Sequence, residues 1–534
     1  MWSREGYFVL YSRINTKTMV QCDKNQQMRR VFKMSATIWS ILPPVIAIVL
    51  ALITKEVYMS LLIGILSGSF LYTLGLGLSK VETGISTVET TFQIMGDKIG
   101  GNADILIFLV LLGILVALIT KSGASKAYGE WASKSIKSKK GSLLATAALG
   151  IVIFVDDYFN CLTVGTVMRP VTDRYKITRA KLAYIIDSTA APICIIAPIS
   201  SWAAAVGSSL PEGSSIDGFT LFLQTIPFNF YALFTLIFVI FIILTGIDYS
   251  KMKVVEDSGE IGIEKSSIEQ EENISSKGKV VDLILPIIVL IVACIGMMLY
   301  TGGILNGENI IDAFANCSSA RSLVMGSFIA LVITFLFYIP RKVISFNEFC
   351  DCFVAGFKAM TPAVMILCLA WTLSGICSGD YLDIGGYVSA VIGGNTMVAM
   401  LLPLLFFLVS LGLAFATGTS WGTFGILIPI ALAIFGEASG MIPVCVAAIL
   451  SGAVCGDHIS PISDTTILSS AGAQCKHLEH VSTQIPYALT VCVPCVAGFL
   501  AAGITSNGFI GLAIGAAVLA VIFVVLAATN KKTA

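Results

Sequence analysis

Acidic side chains recur inside apolar stretches of this chain, where a hydrocarbon surrounding would exclude them. Asp156 and Asp157 adjoin in VDDYFN, Asp187 lies in IIDSTAAP, and Asp457, His458 and Asp464 share GDHISPISDTT. An ionisable group at membrane depth costs roughly 2.5–3.5 kcal/mol on insertion scales, and it usually faces a cavity. Two neighbouring carboxylates do not easily both ionise at low dielectric. One of them is therefore expected to keep a proton, or to exchange it for a bound cation. Competition of Na⁺ and H⁺ for one carboxylate is the minimum chemistry of an exchanger, and Asp156, Asp157, Asp457 and Asp464 are the expected Na⁺ ligands. The same segments are rich in the neutral oxygens that a hard cation takes. These are Asn160, Thr163, Ser188, Thr189, Ser200, Thr417, Thr419, Ser420, Ser460, Ser463, Thr465 and Thr466. Half-helix N-termini in the same places could instead hold a substrate carboxylate, and the residues permit both.

Backbone at membrane depth must be hydrogen-bonded, so a broken helix survives only where it lines a cavity or binds something. Four breaks are expected: VDDYFN, Asp187 to Pro198, ATGTSWGT around Thr417 to Thr423, and GDHISPISDTT. Helices must surround them. Charged residues are 12% of 534, the hydrophobic set is 56%, and mean hydropathy is +0.89. A soluble domain carries roughly 25% charged residues, so a water-soluble core is excluded. Apolar runs of about 20 residues, the length that crosses the bilayer, recur throughout, and eleven spans are expected. The 33 basic and 33 acidic residues cancel, leaving no net field for nucleic acid.

Basic residues favour cytoplasmic loops. Lys121 to Lys140 holds six lysines and Arg169 to Lys181 five basic residues, whereas 207–218, 302–320, 379–395 and 436–441 hold none. The stretch 142–168 therefore starts and ends on the cytoplasmic side, and it is too short for two crossings of about 20 residues each. It is expected to be a re-entrant hairpin with its tip near Asp156 to Asn160. The stretch 396–435 is expected to be its counterpart from the outside. Amphipathic stretches 80–98 and 345–358 are expected along the membrane surface.

Weak internal similarity supports a duplication. Lys121-Ser122-Gly123 matches Cys377-Ser378-Gly379 at a spacing of 256, Pro170 matches Pro429 at 259, and Pro198-Ile199-Ser200 matches Pro461-Ile462-Ser463 at 263. The opposite hairpin orientations make the repeat inverted. The expected architecture is all-α and polytopic. Residues 34–246 and 280–503 form the two repeats, each with a re-entrant hairpin and an interrupted helix. A flexible cytoplasmic tether spans 247–279, an extra helix lies within 504–534, and 1–33 is an extension upstream of a start at Met34.

Blander roles apply to several residues. Ser and Thr on membrane helices often bond only their own backbone, and Asp187 or His458 could be structural partners within a break. His477 and His480 in CKHLEH are expected in a solvated loop, and Trp202, Trp371 and Trp421 in packing or interface roles. The fourteen cysteines, including Cys492 and Cys495, lie mostly in apolar runs and are expected to pack. No nucleophile-base arrangement or nucleotide motif suggests an enzyme, and a passive channel fits paired acidic breaks less well than alternating access.

The stretch from Gly456 to Leu489, with its GDHISPISDTT core, resembles the hallmark of the NhaC Na⁺/H⁺ antiporter family, and Phe154 to Pro192 resembles that family's first-half signature. The similarity runs from about Met34 to the C-terminus. It implies sodium coupling, no cofactor beyond the transported Na⁺ and H⁺, and an elevator-like movement of a hairpin-bearing domain in a bacterial inner membrane. Matching the motifs places the implied site on Asp156, Asp157, Asn160, Asp187, Asp457, Ser460, Ser463, Asp464 and Thr465. Some relatives exchange small organic anions such as malate and lactate and others are suspected amino-acid carriers, so a small organic solute stays open as cargo. Lipids are the expected surroundings, and a homodimer is compatible with the reading.

Overall fold

Apolar runs become helices because only a helix satisfies its own backbone without water. The computed structural model describes residues 35–54, 56–210, 217–262, 275–310, 313, 316–384, 386–387, 396–435 and 439–533, and among them it contains helices and no strand. The extension 1–33 lies outside the described residues. The first helices are α1 (Leu42–Thr54), α2 (Val57–Gly75), α3 (Lys80–Gly101), α4 (Ala103–Lys121) and α5 (Ala124–Ser135). A hairpin follows, α6 (Lys139–Val152) and α7 (Asp157–Arg174). The chain then passes through a helix in pieces, α8 (Arg179–Thr189), α9 (Ala191–Cys194) and α10 (Ser201–Gly207), and continues into α11 (Gly218–Thr225), α12 (Phe230–Thr245) and α13 (Ser250–Ser258).

The second part of the chain follows the linker. Helices α14 (Val280–Thr301), α15 (Ser319–Tyr338) and α16 (Phe346–Cys377) precede a hairpin of α17 (Thr396–Thr417) and α18 (Ser420–Phe435). A second broken pair is α19 (Ile442–Ile459) and α20 (Asp464–Ala473), followed by α21 (His477–Thr505) and α22 (Gly508–Thr533). Among the described residues nine helices are long and apolar enough to cross a membrane, or ten if α16, bent by 43°, is one span. That differs from the eleven expected. α1 has only 13 residues and α8 only 11, whereas the hairpin arm α17, with 22, passes the length test.

Amphipathic α3 buries hydroxyls and exposes apolar side chains along with Glu82 and Glu89. Thr83, Thr87 and Thr91 are buried, with Thr87 and Thr91 bonding Thr73 at 2.9 Å and Ser69 at 2.8 Å, while Val81, Ile85, Val88 and Phe92 are exposed. Close helix crossings use glycine, which lets backbones approach. A Cβ on Gly113 would stand 2.6 Å from the Gly356 carbonyl oxygen between α4 and α16, and one on Gly456 would stand 2.2 Å from that of Leu411 between α19 and α17.

The expectation of a flexible tether over 247–279 needs correction for its first part, because α13 is docked. Glu256 accepts from the Thr178 hydroxyl at 2.6 Å and its amide at 3.2 Å, at the start of α8, and pairs with Lys139 at 2.8 Å at the start of α6. Asp248 bonds both the buried Lys181 ammonium of α8 and the Tyr487 hydroxyl of α21. Mixed charge reads as solvated in sequence, yet here it is spent on partners far along the chain. We expect Asp248→Asn to cost about 2–4 kcal/mol, because it leaves Lys181 buried without its counter-charge. Pairing it with Lys181→Met should recover most of that loss in a detergent thermal melt; an Asp248→Asn variant that melts like wild type would contradict this account.

Candidate functional site

Each broken helix stops and restarts through residues that cap it. Asp156 is the N-cap of α7 and accepts from the Phe159 amide at 3.0 Å, so Asp157 occupies the first helical position. Ser463 does the same for α20, accepting from the Thr466 amide at 3.2 Å and placing Asp464 first. Ser200 caps α10 and also donates to the Cys194 carbonyl at 2.8 Å, across the stretch broken by Pro198. At the second hairpin tip Gly418 has φ +69°, a left-handed turn that a side chain would strain. Negative charge at the starts of α7 and α20 is favoured by the helix dipole.

The four breaks meet. Tyr158, at the first hairpin tip, donates to Asp464 Oδ2 at 2.5 Å, a contact between residues 306 apart in sequence. The Asp464 amide donates to the Gly418 carbonyl at 3.3 Å, and Ser460 Oγ to the Phe415 carbonyl at 2.7 Å, so the second tip closes on the second break. The Ser201 amide donates to the Val155 carbonyl at 2.9 Å, joining the first break to the first tip. Within the second break Thr465 Oγ1 donates to Asp457 Oδ2 at 2.8 Å, and the Thr465 amide to Asp464 Oδ1 at 2.8 Å. Asp157 thus adjoins Asp156 in the chain and Tyr158, which bonds Asp464, while Thr465 bridges Asp464 and Asp457.

Asp156, Asp157 and Asp457 are buried, while Asp464 and Tyr158 are only half-buried, which makes them the accessible edge of the group. Among the described residues, both carboxylate oxygens of Asp157 and Oδ1 of Asp457 have no hydrogen-bond partner. Neither have Asn160 Oδ1, Ser188 Oγ, Ser201 Oγ, Thr419 Oγ1 and the indole Nε1 atoms of Trp202 and Trp421, all buried. An uncompensated buried carboxylate is costly, so it takes a proton or a cation. Among the described residues no three His, Cys, Asp or Glu side chains gather as a metal-ligand set. A cation here would be completed by hydroxyl, amide and carbonyl oxygens.

The remaining expected site residues divide into groups. Asn160 Nδ2 is spent on the carbonyls of Gly150, Ile153 and Thr189 at 2.7, 2.9 and 3.2 Å, which closes the first break. Thr163 is buried further along α7. Ser463 Oγ lies 3.2 Å from Thr465 Oγ1. Ser420 donates to the Ala453 carbonyl at 3.1 Å, and Thr417 only to its own helix at Leu413.

Asp187 differs from the other acids in having several hydrogen-bond donors of its own, one of which, Thr466 Oγ1, also reaches the Asp457 carbonyl at 3.4 Å. Its carboxylate accepts from Ser469 at 3.1 Å, Thr466 at 3.3 Å and Gln484 at 2.5 Å, with His480 Nε2 at 3.4 Å. His458 faces the same region. Its Nδ1 lies 3.0 Å from the Tyr231 hydroxyl, and its carbonyl accepts from Gln484 at 2.9 Å. The solvated-loop expectation for His480 is therefore wrong: it is fully buried on the inner face of α21, whose period puts it on one side with Gln484. Sequence reasoning also missed Tyr158 and Ser469. The spacing of Thr466 and Ser469, one turn apart on α20, is the signal that could have found the latter.

Several known proteins are similar to this chain. The Na⁺/H⁺ antiporter family pattern matches residues 203–504, more than half of the chain. An uncharacterized protein of Haemophilus influenzae is 41% identical over 501 residues, covering 91% of this chain and 95% of that one. The malate-2H⁺/Na⁺-lactate antiporter of Bacillus subtilis is 30% identical over 210 residues, 34% of this chain and 43% of that one. An arginine/ornithine antiporter of Halobacterium salinarum is 37% identical over 103 residues, 19% and 21% of the two chains. The solved structure of Neisseria gonorrhoeae MtrF superposes with a TM-score of 0.46 at 16% identity, over 79% of this chain and 85% of that one. With the family pattern over most of its length and its many membrane-length helices, the chain belongs to the Na⁺/H⁺ antiporter family of NhaC type and is a multi-pass secondary transporter.

Proposed function

We propose that this transporter exchanges Na⁺ for H⁺ across a bacterial inner membrane, with the two ions competing for the carboxylates at the meeting point of the four breaks. The observation that carries the reading is Asp157, whose two buried oxygens have no hydrogen-bond partner among the described residues, next in the chain to Asp156 and to Tyr158, which bonds Asp464. Either a proton or a Na⁺ with its oxygen ligands relieves that charge, and holding both at once would be unfavourable. Half-buried Asp464, oriented by Tyr158, is the group through which ions enter. The hairpins α6–α7 and α17–α18 with the broken helices form the moving body, and α1–α4 with α14–α16 form the scaffold it slides against. The inverted relation of the two repeats belongs to this proposal, because it makes the inward and outward states mirror arrangements.

Competition has a signature in binding. If one proton and one Na⁺ exclude each other, the apparent Na⁺ dissociation constant rises about tenfold per pH unit on the acid side of the site. We expect this in detergent, with Na⁺ stabilising the protein against heat at pH 9 and far more weakly at pH 6. A Na⁺ affinity independent of pH across that range would reject the shared site.

A further inference from the structure

His477 begins α21 and is half-buried, yet both of its ring nitrogens meet a partner. Nε2 lies 2.6 Å from the Pro461 carbonyl oxygen, and Nδ1 lies 3.1 Å from Ser470 Oγ. Pro461 is an exposed residue of the second break. It stands between Ser460, which reaches the second hairpin tip, and Ser463, which caps α20 and places Asp464 first. Ser470 belongs to the last turn of the same α20. The ring therefore ties the break to the far end of the helix that the break starts.

Counting hydrogens fixes the state of that ring. A carbonyl oxygen only accepts, so Nε2 must carry a hydrogen. A hydroxyl has one hydrogen to give, and Ser470 gives its own to the Ile467 carbonyl at 2.8 Å. Toward Nδ1 it can then only accept, which requires a hydrogen there too. The imidazolium alone closes all three bonds; the neutral ring leaves one of them open. The titratable groups on the elements packed around it are Lys476 and Glu479 of α21, Cys475 in the turn before, Asp464 of α20, Arg179 of α8 and Asp173 of α7. Arg179 is taken by Asp173 at 2.8 Å and by the Ala473 carbonyl at 3.0 Å, and Asp464 by Tyr158. Among the described residues no carboxylate forms an ion pair with His477. Its ring is held by neutral acceptors.

We propose that His477 is a positioning residue for the exchange reaction: its imidazolium fastens the Pro461 carbonyl to Ser470, and loss of one proton slackens the break that presents Asp464. An imidazole makes that change near neutral pH. The inference rests on the reading that Asp464 takes part in ion exchange, and it adds a group outside the acid cluster that governs how Asp464 is held.

The test compares apparent Na⁺ constants of the purified full chain and its variants, read from thermal stabilisation by Na⁺ at pH 6 and pH 9. Proton competition at the acid group acts on variant and wild type alike, so their ratio isolates His477. At pH 6 His477→Gln and Ser470→Ala should each raise the constant about tenfold, the lower end of what one hydrogen bond to a charged group is worth. At pH 9, where the wild-type ring has lost its second proton, the ratios should fall within about twofold of one. The chain has three histidines, so ¹⁵N-histidine labelling gives three rings to follow, and the one missing in His477→Gln is His477. It should carry hydrogens on both nitrogens at pH 6 and on one at pH 9. A singly protonated His477 at pH 6 overturns the inference, and so do wild-type constants at pH 6 in both variants. An equal shift at both pH values also overturns it, in favour of a purely structural contact. A wild type that ignores Na⁺ at both pH values removes the ion-exchange reading first, and the positioning role with it.

Discussion

Asp157→Asn is expected to reduce Na⁺-driven proton movement to the level of empty liposomes, while the protein still inserts and elutes as wild type. The side chain keeps its size and loses its charge. Because neither carboxylate oxygen of Asp157 closes a hydrogen bond among the described residues, the substitution should leave the fold intact. Insertion should become slightly easier, since a neutral amide costs less at membrane depth than a carboxylate. What disappears is the negative charge that either ion must neutralise. Asp464→Asn should abolish exchange as well, but with a measurable loss of stability, because it weakens the Tyr158 contact that ties the first hairpin to the second broken helix. Exchange at the wild-type rate in purified Asp157→Asn would remove that residue from the mechanism.

The second large effect falls on a residue with no chemistry. Gly165 of α7 crosses Gly472 of α20 so closely that a Cβ on Gly165 would stand 2.3 Å from the Gly472 carbonyl carbon and 2.5 Å from its oxygen. Backbone cannot yield as a flexible side chain can. Gly165→Ala must therefore push apart the two helices whose N-termini present Asp157 and Asp464. Overpacking of this kind costs about 2–3 kcal/mol, and Gly165→Val should cost more. Activity should fall further than stability, since the acid pair is set by this crossing. Gly84 on α3 meets nothing within 4 Å, so Gly84→Ala should be neutral or slightly stabilising. Equal thermal melts for the Gly165→Ala and Gly84→Ala variants would show that the crossing is looser than described.

These predictions draw on what was legible in the sequence and on what was not. The breaks were legible, because Pro198, Pro461, Gly418 and the capping residues Asp156, Ser200 and Ser463 interrupt apolar periodicity locally. The acidic group was legible for the same reason, as carboxylates in apolar runs are conspicuous. Which break faces which was not. The Tyr158 to Asp464 bond and the Gly165 to Gly472 crossing depend on packing between segments some 300 residues apart, and local pattern carries no such information.

Two residues show the limit from opposite sides. Asp187 has the same sequence signature as Asp157, yet it accepts from three hydroxyl and amide donors, so it acts as an acceptor that fixes α8 against α20 and α21. His480 has the signature of a solvated loop, since Lys476 and Glu479 adjoin it, yet helical periodicity on α21 turns it inward. Composition near a residue describes its sequence neighbours, whereas burial depends on the face it occupies. The same holds for the start of the linker, where Asp248 and Glu256 are held by Lys181, Tyr487 and Thr178 rather than by water.

The claim that one buried carboxylate group serves both ions is tested most directly in proteoliposomes loaded with a pH-sensitive dye and free of organic solute. An inward Na⁺ gradient should alkalinise the lumen as protons leave against Na⁺, and collapsing the gradient should reverse the change. A lumen whose pH does not respond to the Na⁺ gradient would contradict the account.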